Sequence, residues 1–208
     1  MSGARRNAEP VARRVVLATG NPGKARELRA LLGPEWELLL QTDLGVPVAE
    51  ETGASFTENA VLKARHAAAA TGLPAIGDDS GLEVDALGGA PGIFSARFAG
   101  PDASDSDNVA RLLAELAGVP AARRSARFRC VLAYLHAPDD AAPLLAEGVW
   151  EGRITEAPRG NGGFGYDPVF EDPAEGLTAA ELSPAIKNER SHRGRACRAL
   201  AARLATRS

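Results

Sequence analysis

The feature that most constrains the fold is an apolar run near the start of the chain, followed by a glycine-containing loop and an amphipathic stretch. Val15 to Thr19 is short, continuous and β-branched, which is typical of a buried strand. Residues 20–24, Gly-Asn-Pro-Gly-Lys, predict a tight loop, and the leucine spacing over 28–32 predicts a helix that ends at Gly33. A second strand is predicted over 36–41. This order of elements is typical of an α/β protein.

Later segments continue the alternation and then add a hairpin. The first predicted elements are a helix over 57–71 capped by Ser55 or Thr57, a strand that ends at Gly77–Gly81, and a loop over 87–100 with one short helical turn. A helix from Asp105 or Ser106 to Leu116 follows, and then strands over 128–135 and 144–154. The last predicted elements are a glycine-rich loop over 160–167, a short strand at Val169-Phe170, and a final helix capped by Ser183 that buries Cys197, Leu200, Ala201 and Leu204. A mixed sheet with helices packed on it is therefore expected.

Composition and charge exclude several classes of protein. A chain of 208 residues fits one domain with a real core, and its net charge of −3 is spread out, which argues against a nucleic-acid-binding domain. The first residues lack the apolar core of a signal peptide, and no apolar run has the roughly 18 residues that a membrane span needs. Cys130 and Cys197 lack metal-ligand spacing, so buried thiols in a cytoplasmic protein are expected.

Two adjacent carboxylates, Asp78 and Asp79, stand between glycines where a strand is predicted to end. Hard cations such as Mg²⁺ prefer one or two carboxylates together with water and phosphate oxygens, and Glu50 and Glu51 could join them. In an extended strand the two aspartates would point to opposite faces. Either the chain kinks at the glycines, or only one aspartate meets the metal and the other supports it. The alternative interpretation is a polar turn.

The loop from Thr19 to Lys24 has the form of an anion site. A helix N-terminus offers unpaired N–H groups and a positive dipole end, while Asn21 adds an amide and Lys24 a charge. The loop is not a Walker A motif, because the spacing is two residues short and Ala25 stands where a Ser or Thr would bind magnesium. A simple strand-to-helix turn is the alternative.

Gly160 to Gly165 matches G-x-G-x-x-G by letters, but Tyr166-Asp167-Pro168 follows and prevents the helix that a dinucleotide fingerprint requires. We expect instead a loop whose backbone approaches a ligand closely. Phe164 and Tyr166 offer flat faces for a base, and Asp167 offers an acceptor. A mobile surface loop is the alternative.

Cationic side chains are concentrated in two helical regions. Lys187, His192 and Arg193 could hold phosphates or a base carbonyl, although a solvated charged face is the alternative. Asn59, Lys63 and His66 form a polar stripe at i, i+4 and i+7 on the predicted second helix.

Six motifs occur together in a fixed order, and together they are specific where each alone would be weak. They are Thr-Gly-Asn-Pro-Gly-Lys, Glu-Glu-Thr-Gly with Phe-Thr-Glu-Asn-Ala-Val-Leu-Lys-Ala, Asp-Asp-Ser-Gly-Leu, Gly-Ala-Pro-Gly-Ile-Phe-Ser-Ala-Arg, Gly-Gly-Phe-Gly-Tyr-Asp-Pro and Ser-His-Arg-Gly. In this combination the chain resembles the inosine triphosphate pyrophosphatase family, especially its bacterial dITP/XTP pyrophosphatases, over about residues 14 to 205.

The resemblance implies an elongated mixed sheet with two α/β lobes and a central substrate cleft, formed by residues 14–208 after a disordered extension over 1–13. It implies a cytoplasmic homodimer that needs Mg²⁺, with no nucleic-acid or membrane partner. The implied reaction is hydrolysis of non-standard purine nucleoside triphosphates (dITP, ITP, XTP or dXTP) to the monophosphate and pyrophosphate. A pyrophosphatase for other modified nucleotides comes second, and a non-catalytic nucleotide-binding module third.

The resemblance also implies roles for individual residues. Asp79 is the proton acceptor and, with Glu51, a magnesium ligand, while Asp78 supports the site from behind. The implied substrate contacts are Thr19, Gly20, Asn21, Pro22, Gly23, Lys24, Lys63, Ser80, Phe164, Gly165, Tyr166, Asp167, Lys187, His192 and Arg193.

Overall fold

The computed structural model describes residues 13–206, and its elements follow the predicted order closely. The strands are β1 (Arg13–Ala18), β2 (Trp36–Leu40), β3 (Ala75–Val84), β4 (Ser125–Leu135), β5 (Leu144–Ile154), β6 (Phe170–Asp172) and β7 (Leu177–Thr178). The α-helices are α1 (Pro22–Leu32), α2 (Phe56–Thr71), α3 (Asp105–Glu115), α4 (Pro184–Arg190) and α5 (His192–Ala205). The extension expected over 1–13 lies outside the described residues, except for Arg13, which begins β1.

All seven strands form one sheet in the order β2-β1-β3-β4-β5-β6-β7. β1 pairs in parallel with β2 and with β3, and every pairing from β3 onward is antiparallel. The expected mixed, elongated sheet is therefore confirmed. Its parallel end follows from the early strand–helix–strand order, because parallel neighbours need crossover connections.

The Asp78-Asp79 pair lies in the middle of β3, not at its end as predicted. Each residue from Ala75 to Val84 pairs with a residue of β4, so the strand stays extended through both flanking glycines. Gly and Asp are rare inside strands, which is why the sequence pattern suggested a turn. The glycine at 77 has a packing reason: a Cβ there would overlap the Ala60 carbonyl oxygen of α2.

Helices cover both faces of the sheet. α2 packs on one face through small side chains, and its buried Ala60, Ala64 and Ala67 lie in one core cluster with Val16 and Val131. On the other face, α1 and α5 share a second cluster with the apolar residues of β1 and β4. A third cluster lies at the far end of the sheet, where α3 packs near Phe128, Trp150 and Phe170. A cleft opens between this third cluster and the cores built on α1, α2 and α5.

Several boundaries differ from prediction. The final helix is interrupted at Ser191, whose hydroxyl caps α5, and Ala201 is exposed rather than buried. The segment over 87–100 contains the 3₁₀ turn Gly92–Arg97. A second 3₁₀ turn, Asp85–Leu87, ends at the first residue of this segment. Val169 belongs to a 3₁₀ turn instead of a strand.

Cys130 and Cys197 are both buried free cysteines, as expected. Over residues 13–206, no helix has the length and apolar content that crossing a membrane would require.

Candidate active site

A cavity of about 250 Å³ opens into the cleft, and twelve of the predicted site residues line it. They are Asn21, Lys24, Glu51, Asp79, Ser80, Phe164, Gly165, Tyr166, Asp167, Lys187, His192 and Arg193. Residues from both ends of the chain meet here because β3 runs through the centre of the sheet, with α1 and α5 on one side and α2 on the other.

The loop that begins α1 is held by its own side chains. Asn21 caps the helix, and its Oδ1 accepts hydrogen bonds from Gly23 N at 2.8 Å and Lys24 N at 3.1 Å. Thr19 Oγ1 accepts from Asn21 N at 3.1 Å. These two amides are therefore paired with the Asn21 side chain, whereas the sequence predicted unpaired N–H groups here. The Lys24 and Asn21 side chains are the groups that this loop presents to the cavity.

Phe164 closes the cavity over the start of α1. A Cβ at Gly23 would lie 2.6 Å from Phe164 Cδ1, so only glycine allows the ring this position. Two cations also lie near the ring, since Lys187 Nζ is 5.1 Å and Arg193 Cζ 5.8 Å from its centroid. The glycine-rich loop thus brings an aromatic face to the cavity.

Asp78 is a fully partnered buried carboxylate on the α1 and α5 side of the sheet. Its oxygens accept from Arg193 Nε at 2.7 Å, from Lys24 Nζ at 2.8 Å and from Ser80 Oγ at 3.0 Å. Burial acts to raise the pKa of Asp78, but the charges of Arg193 and Lys24 outweigh it and hold the pKa well below its usual value. Asp78 therefore stays ionised and orients these two cations.

Asp79 faces the α2 side and is only partly satisfied. Its Oδ1 accepts from Lys63 Nζ at 2.6 Å, while Oδ2 is buried without a hydrogen-bond partner among the described residues. Burial raises the pKa of Asp79 above its ordinary value despite the nearby lysine charges. A buried carboxylate with a raised pKa and a free oxygen is suited to accept a proton.

Lys63 joins Asp79 to Glu51. The lysine Nζ lies 2.5 Å from Glu51 Oε1, and the other Glu51 oxygen accepts from Arg97 at 2.7 Å. Burial acts to raise the pKa of Glu51, but these cations, Lys63 foremost, lower it overall. Lys63 is buried on the inner face of α2, so the polar stripe predicted there is not a solvated one.

The donor set fits a hard divalent cation. In the part of the chain that the structure describes, Asp79 Oδ2 has no hydrogen-bond partner, and an unsatisfied buried carboxylate oxygen is costly unless something binds it. Within residues 13–206, no group of three or more His, Cys, Asp or Glu side chains could hold a metal. Two carboxylates completed by substrate phosphates and water are the usual Mg²⁺ pattern. Glu50 is exposed and does not line the cavity.

A second charged cluster lies beneath Phe164. Lys187 Nζ donates to Asp167 at 2.6 Å and to Glu27 at 2.7 Å, and Glu27 also accepts from Arg193. Asp167 Oδ2 is therefore engaged within the protein, and Asp167 also lines the cavity. Burial acts to lower the pKa of Lys187, but Asp167 and Glu27 raise it overall, so Lys187 is charged.

His192 is a buried, neutral member of the cavity wall. Its ring stacks on Phe128 with centroids 4.7 Å apart and planes 17° apart. Burial, reinforced by the Arg193 charge, holds the pKa of His192 well below its usual value. Its Nδ1 is buried without a partner among the described residues, which leaves a polar atom for a ligand.

The wall of the cavity near α3 is held in place by hydrogen bonds to the 3₁₀ turn Gly92–Arg97. Tyr166 Oη donates to the Ser95 carbonyl at 2.8 Å, and Asn108 Nδ2 donates to the Ala96 carbonyl at 3.2 Å. Asp105 accepts from Gly165 N at 2.7 Å and ties α3 to the glycine-rich loop. Tyr166 is buried by this packing, and it lines the cavity.

Sequence reasoning missed Glu27, Arg97 and the α3 residues of the wall. Glu27 could have been found, because it follows Lys24 by three residues and therefore shares its helix face. Of the predicted residues, six (Thr19, Gly20, Pro22, Gly23, Lys63 and Asp78) do not line the cavity. Gly23, Lys63 and Asp78 nevertheless contact residues that do.

Known proteins share both the sequence and the fold. A model of the Ham1 family matches residues 15–203. A dITP/XTP pyrophosphatase of Methylococcus capsulatus is 62% identical over 193 residues, covering 92% of this chain and 96% of its own. One from Escherichia coli K12 is 58% identical over 188 residues, covering 90% and 95%. The structure of a HAM1 protein from Coxiella burnetii is 48% identical, has a TM-score of 0.85, and covers 93% of this chain and 98% of its own.

Proposed function

This chain belongs to the Ham1 family, and on that premise we propose that it hydrolyses the non-standard purine nucleoside triphosphates ITP, dITP, XTP and dXTP to monophosphate and pyrophosphate. The observation that carries the proposal is the cavity itself, which Asp79, Lys24 and Phe164 line. Asp79 pairs with Lys63 through one oxygen, and its other oxygen is buried without a partner among the described residues. This activity would remove damaged nucleotides from the cytoplasmic pool.

In the proposed reaction, a water oxygen attacks the α-phosphorus and the bond from that phosphorus to the bridging oxygen breaks. The electron pair leaves on pyrophosphate, and the water proton passes to the Asp79 carboxylate. Burial raises the pKa of Asp79, so its carboxylate is a stronger base than that of an exposed aspartate.

We propose Mg²⁺ as the cofactor, held by Glu51 and Asp79. When bound, it would neutralise phosphate charge and polarise the attacking water. The protein itself also neutralises phosphate charge, through Lys24 and Lys63. Both lie within 3 Å of carboxylates in the site, at 2.8 Å from Asp78 and 2.6 Å from Asp79, so they are fixed in place to stabilise charge that develops on pyrophosphate.

The base would lie on Phe164, between Lys187 and His192. Two of the three Lys187 N–H groups donate to Glu27 and Asp167, which leaves the third for the 6-oxo group of hypoxanthine or xanthine. Adenine carries an amino group there and would leave this donor unpaired. Such a mismatch in a site built to hydrogen-bond can cost a factor of about 10⁴.

The test is pyrophosphate release from ITP, XTP, GTP and ATP, with and without Mg²⁺. We expect rapid release from ITP and XTP with Mg²⁺ and far slower release from GTP and ATP. Equal rates on all four substrates, or release of inorganic phosphate instead of pyrophosphate, would contradict the proposal.

We also propose that the protein acts as a homodimer. The resemblance to the pyrophosphatase family supports this state, and the side chains of Phe94 and Val48 are each 55% exposed and could lie in an interface. Light scattering after size exclusion would give twice the chain mass for a dimer and a single chain mass for a monomer.

A further inference from the structure

Arg97 pairs with the cavity residue Glu51, but the proposed reaction gives Arg97 no role. It ends the Gly92–Arg97 turn, in the Gly-Ala-Pro-Gly-Ile-Phe-Ser-Ala-Arg motif, and its Nη1 donates to Glu51 Oε2 at 2.7 Å. Since Lys63 occupies the other Glu51 oxygen, the carboxylate is held between two cations from different parts of the chain.

The backbone that carries Arg97 is fixed on both sides. Asn108 accepts from Ala99 N at 2.8 Å and donates to the Ala96 carbonyl, so it bridges the residues around Arg97. Tyr166 holds the preceding Ser95 carbonyl. The guanidinium is also 5.2 Å from the centroid of the Phe94 ring, which restricts its orientation further. Arg97 is therefore a preorganised partner for Glu51 and not a freely moving surface arginine.

Glu51 needs such a partner. It lies in an irregular segment between β2 and α2, where secondary structure does not fix its side chain. Partners that hydrogen-bond a ligating carboxylate orient it, and their loss typically costs 10–100-fold in metal affinity.

We propose that Arg97 is a positioning residue for the metal site, which fixes Glu51 in the orientation that takes up Mg²⁺. This inference rests on the proposed function, because it assumes that Glu51 is a magnesium ligand. Arg97 acts through Glu51 and makes no contact with the nucleotide.

The experiment measures Mn²⁺ binding by electron paramagnetic resonance, with the α,β-methylene analogue of ITP present at saturation. We expect Arg97→Gln to weaken Mn²⁺ binding about tenfold. Arg97→Lys keeps the charge and should recover part of the loss, which separates a change at the site from a failure to fold. The matched control is Arg111→Gln, because Arg111 also pairs with one glutamate, Glu115, but on the exposed face of α3. The Arg111→Gln variant should bind Mn²⁺ as tightly as the wild type does.

Glu51→Gln and the double variant Glu51→Gln/Arg97→Gln complete a cycle. If Arg97 works only through Glu51, the double variant should bind Mn²⁺ no more weakly than Glu51→Gln alone. Analogue affinity measured without metal should be unchanged by Arg97→Gln.

Wild-type Mn²⁺ affinity in Arg97→Gln, full additivity in the double variant, or a tenfold loss of metal-free analogue binding would overturn the inference. The last of these would make Arg97 a nucleotide contact. An unchanged Mn²⁺ affinity in Glu51→Gln would remove the ligand assignment and the inference with it. Pyrophosphate release from ITP by the wild type tests the proposed function separately from all of these.

Discussion

Asp78 and Asp79 are adjacent in β3, yet each pairs with cations on a different face of the sheet. Asp78 accepts from Arg193 and Lys24 on the α1 and α5 side, and Asp79 accepts from Lys63 on the α2 side. The strand alternation therefore gives two neighbouring carboxylates opposite environments: one is fully paired with a lowered pKa, and the other has a free oxygen and a raised pKa. One aspartate organises the site, and the other is available for chemistry.

Replacing Asp78 should destabilise the fold. Asp78→Asn leaves the buried Arg193 guanidinium with Glu27 as its one carboxylate partner among residues 13–206. Removing one member of a buried ion pair costs about 3–5 kcal/mol, and we expect the lower end because Glu27 remains. Urea unfolding at pH 7 measures the difference. The control is Glu37→Gln, whose pair with Arg14 is about half exposed and should contribute less than about 1 kcal/mol. Equal effects of the two substitutions would contradict the assigned role.

The contribution of Asp78 to the free energy of unfolding should also depend on pH in a defined direction. Its pKa is lower in the folded protein than in the unfolded chain, so the unfolded state binds more protons between the two values. The stabilisation is fully present above about pH 4 and is lost as the pH falls through the lowered folded-state pKa. The difference in unfolding free energy between the wild type and Asp78→Asn should therefore shrink below about pH 4. A difference that stays constant down to pH 3 would show that the pair does not titrate as described.

Gly23 and Phe164 should behave as one unit in substrate binding. Gly23→Ala places a methyl group against the Phe164 ring, although alanine itself favours the helix. Base–aromatic stacking contributes about 1–3 kcal/mol, so displacement of the ring should raise KM for ITP about tenfold or more. Phe164→Ala should have a similar effect, and adding Gly23→Ala to it should cause no further loss. Additive losses in the double variant would mean that Gly23 contacts the substrate independently.

The strand and helix order could be predicted from sequence because it depends on local patterns. β5 has the predicted bounds, and α3 starts at Asp105, one of its two predicted first residues. The position of Asp78 and Asp79 inside β3 could not be predicted from the sequence, because Gly77 and the aspartates are tolerated there only through contacts with α2 and α5. Local propensity predicts a turn, and tertiary packing overrides it.

Most of the cavity residues could be predicted, but their pairings could not. Lys187 and Glu27 are 160 residues apart in the chain, so no spacing rule connects them. Asp167 illustrates the consequence: its carboxylate suggests a ligand contact, and the sequence does not show that the same carboxylate also holds Lys187. Arg97 likewise depends on a turn held by α3, which sequence patterns do not reveal.

The most direct test of the account is pyrophosphate release from ITP by Asp79→Asn, measured together with binding of the α,β-methylene analogue. Asparagine keeps the size of the side chain but cannot accept the proton, and Glu51 still pairs with Lys63. The control is Asp85→Asn, just after the same strand, where the carboxylate is 45% exposed and pairs with Arg127. We predict that Asp79→Asn lowers turnover by about 10²-fold or more while analogue binding is largely retained. Near-normal turnover in Asp79→Asn would contradict its role as the proton acceptor.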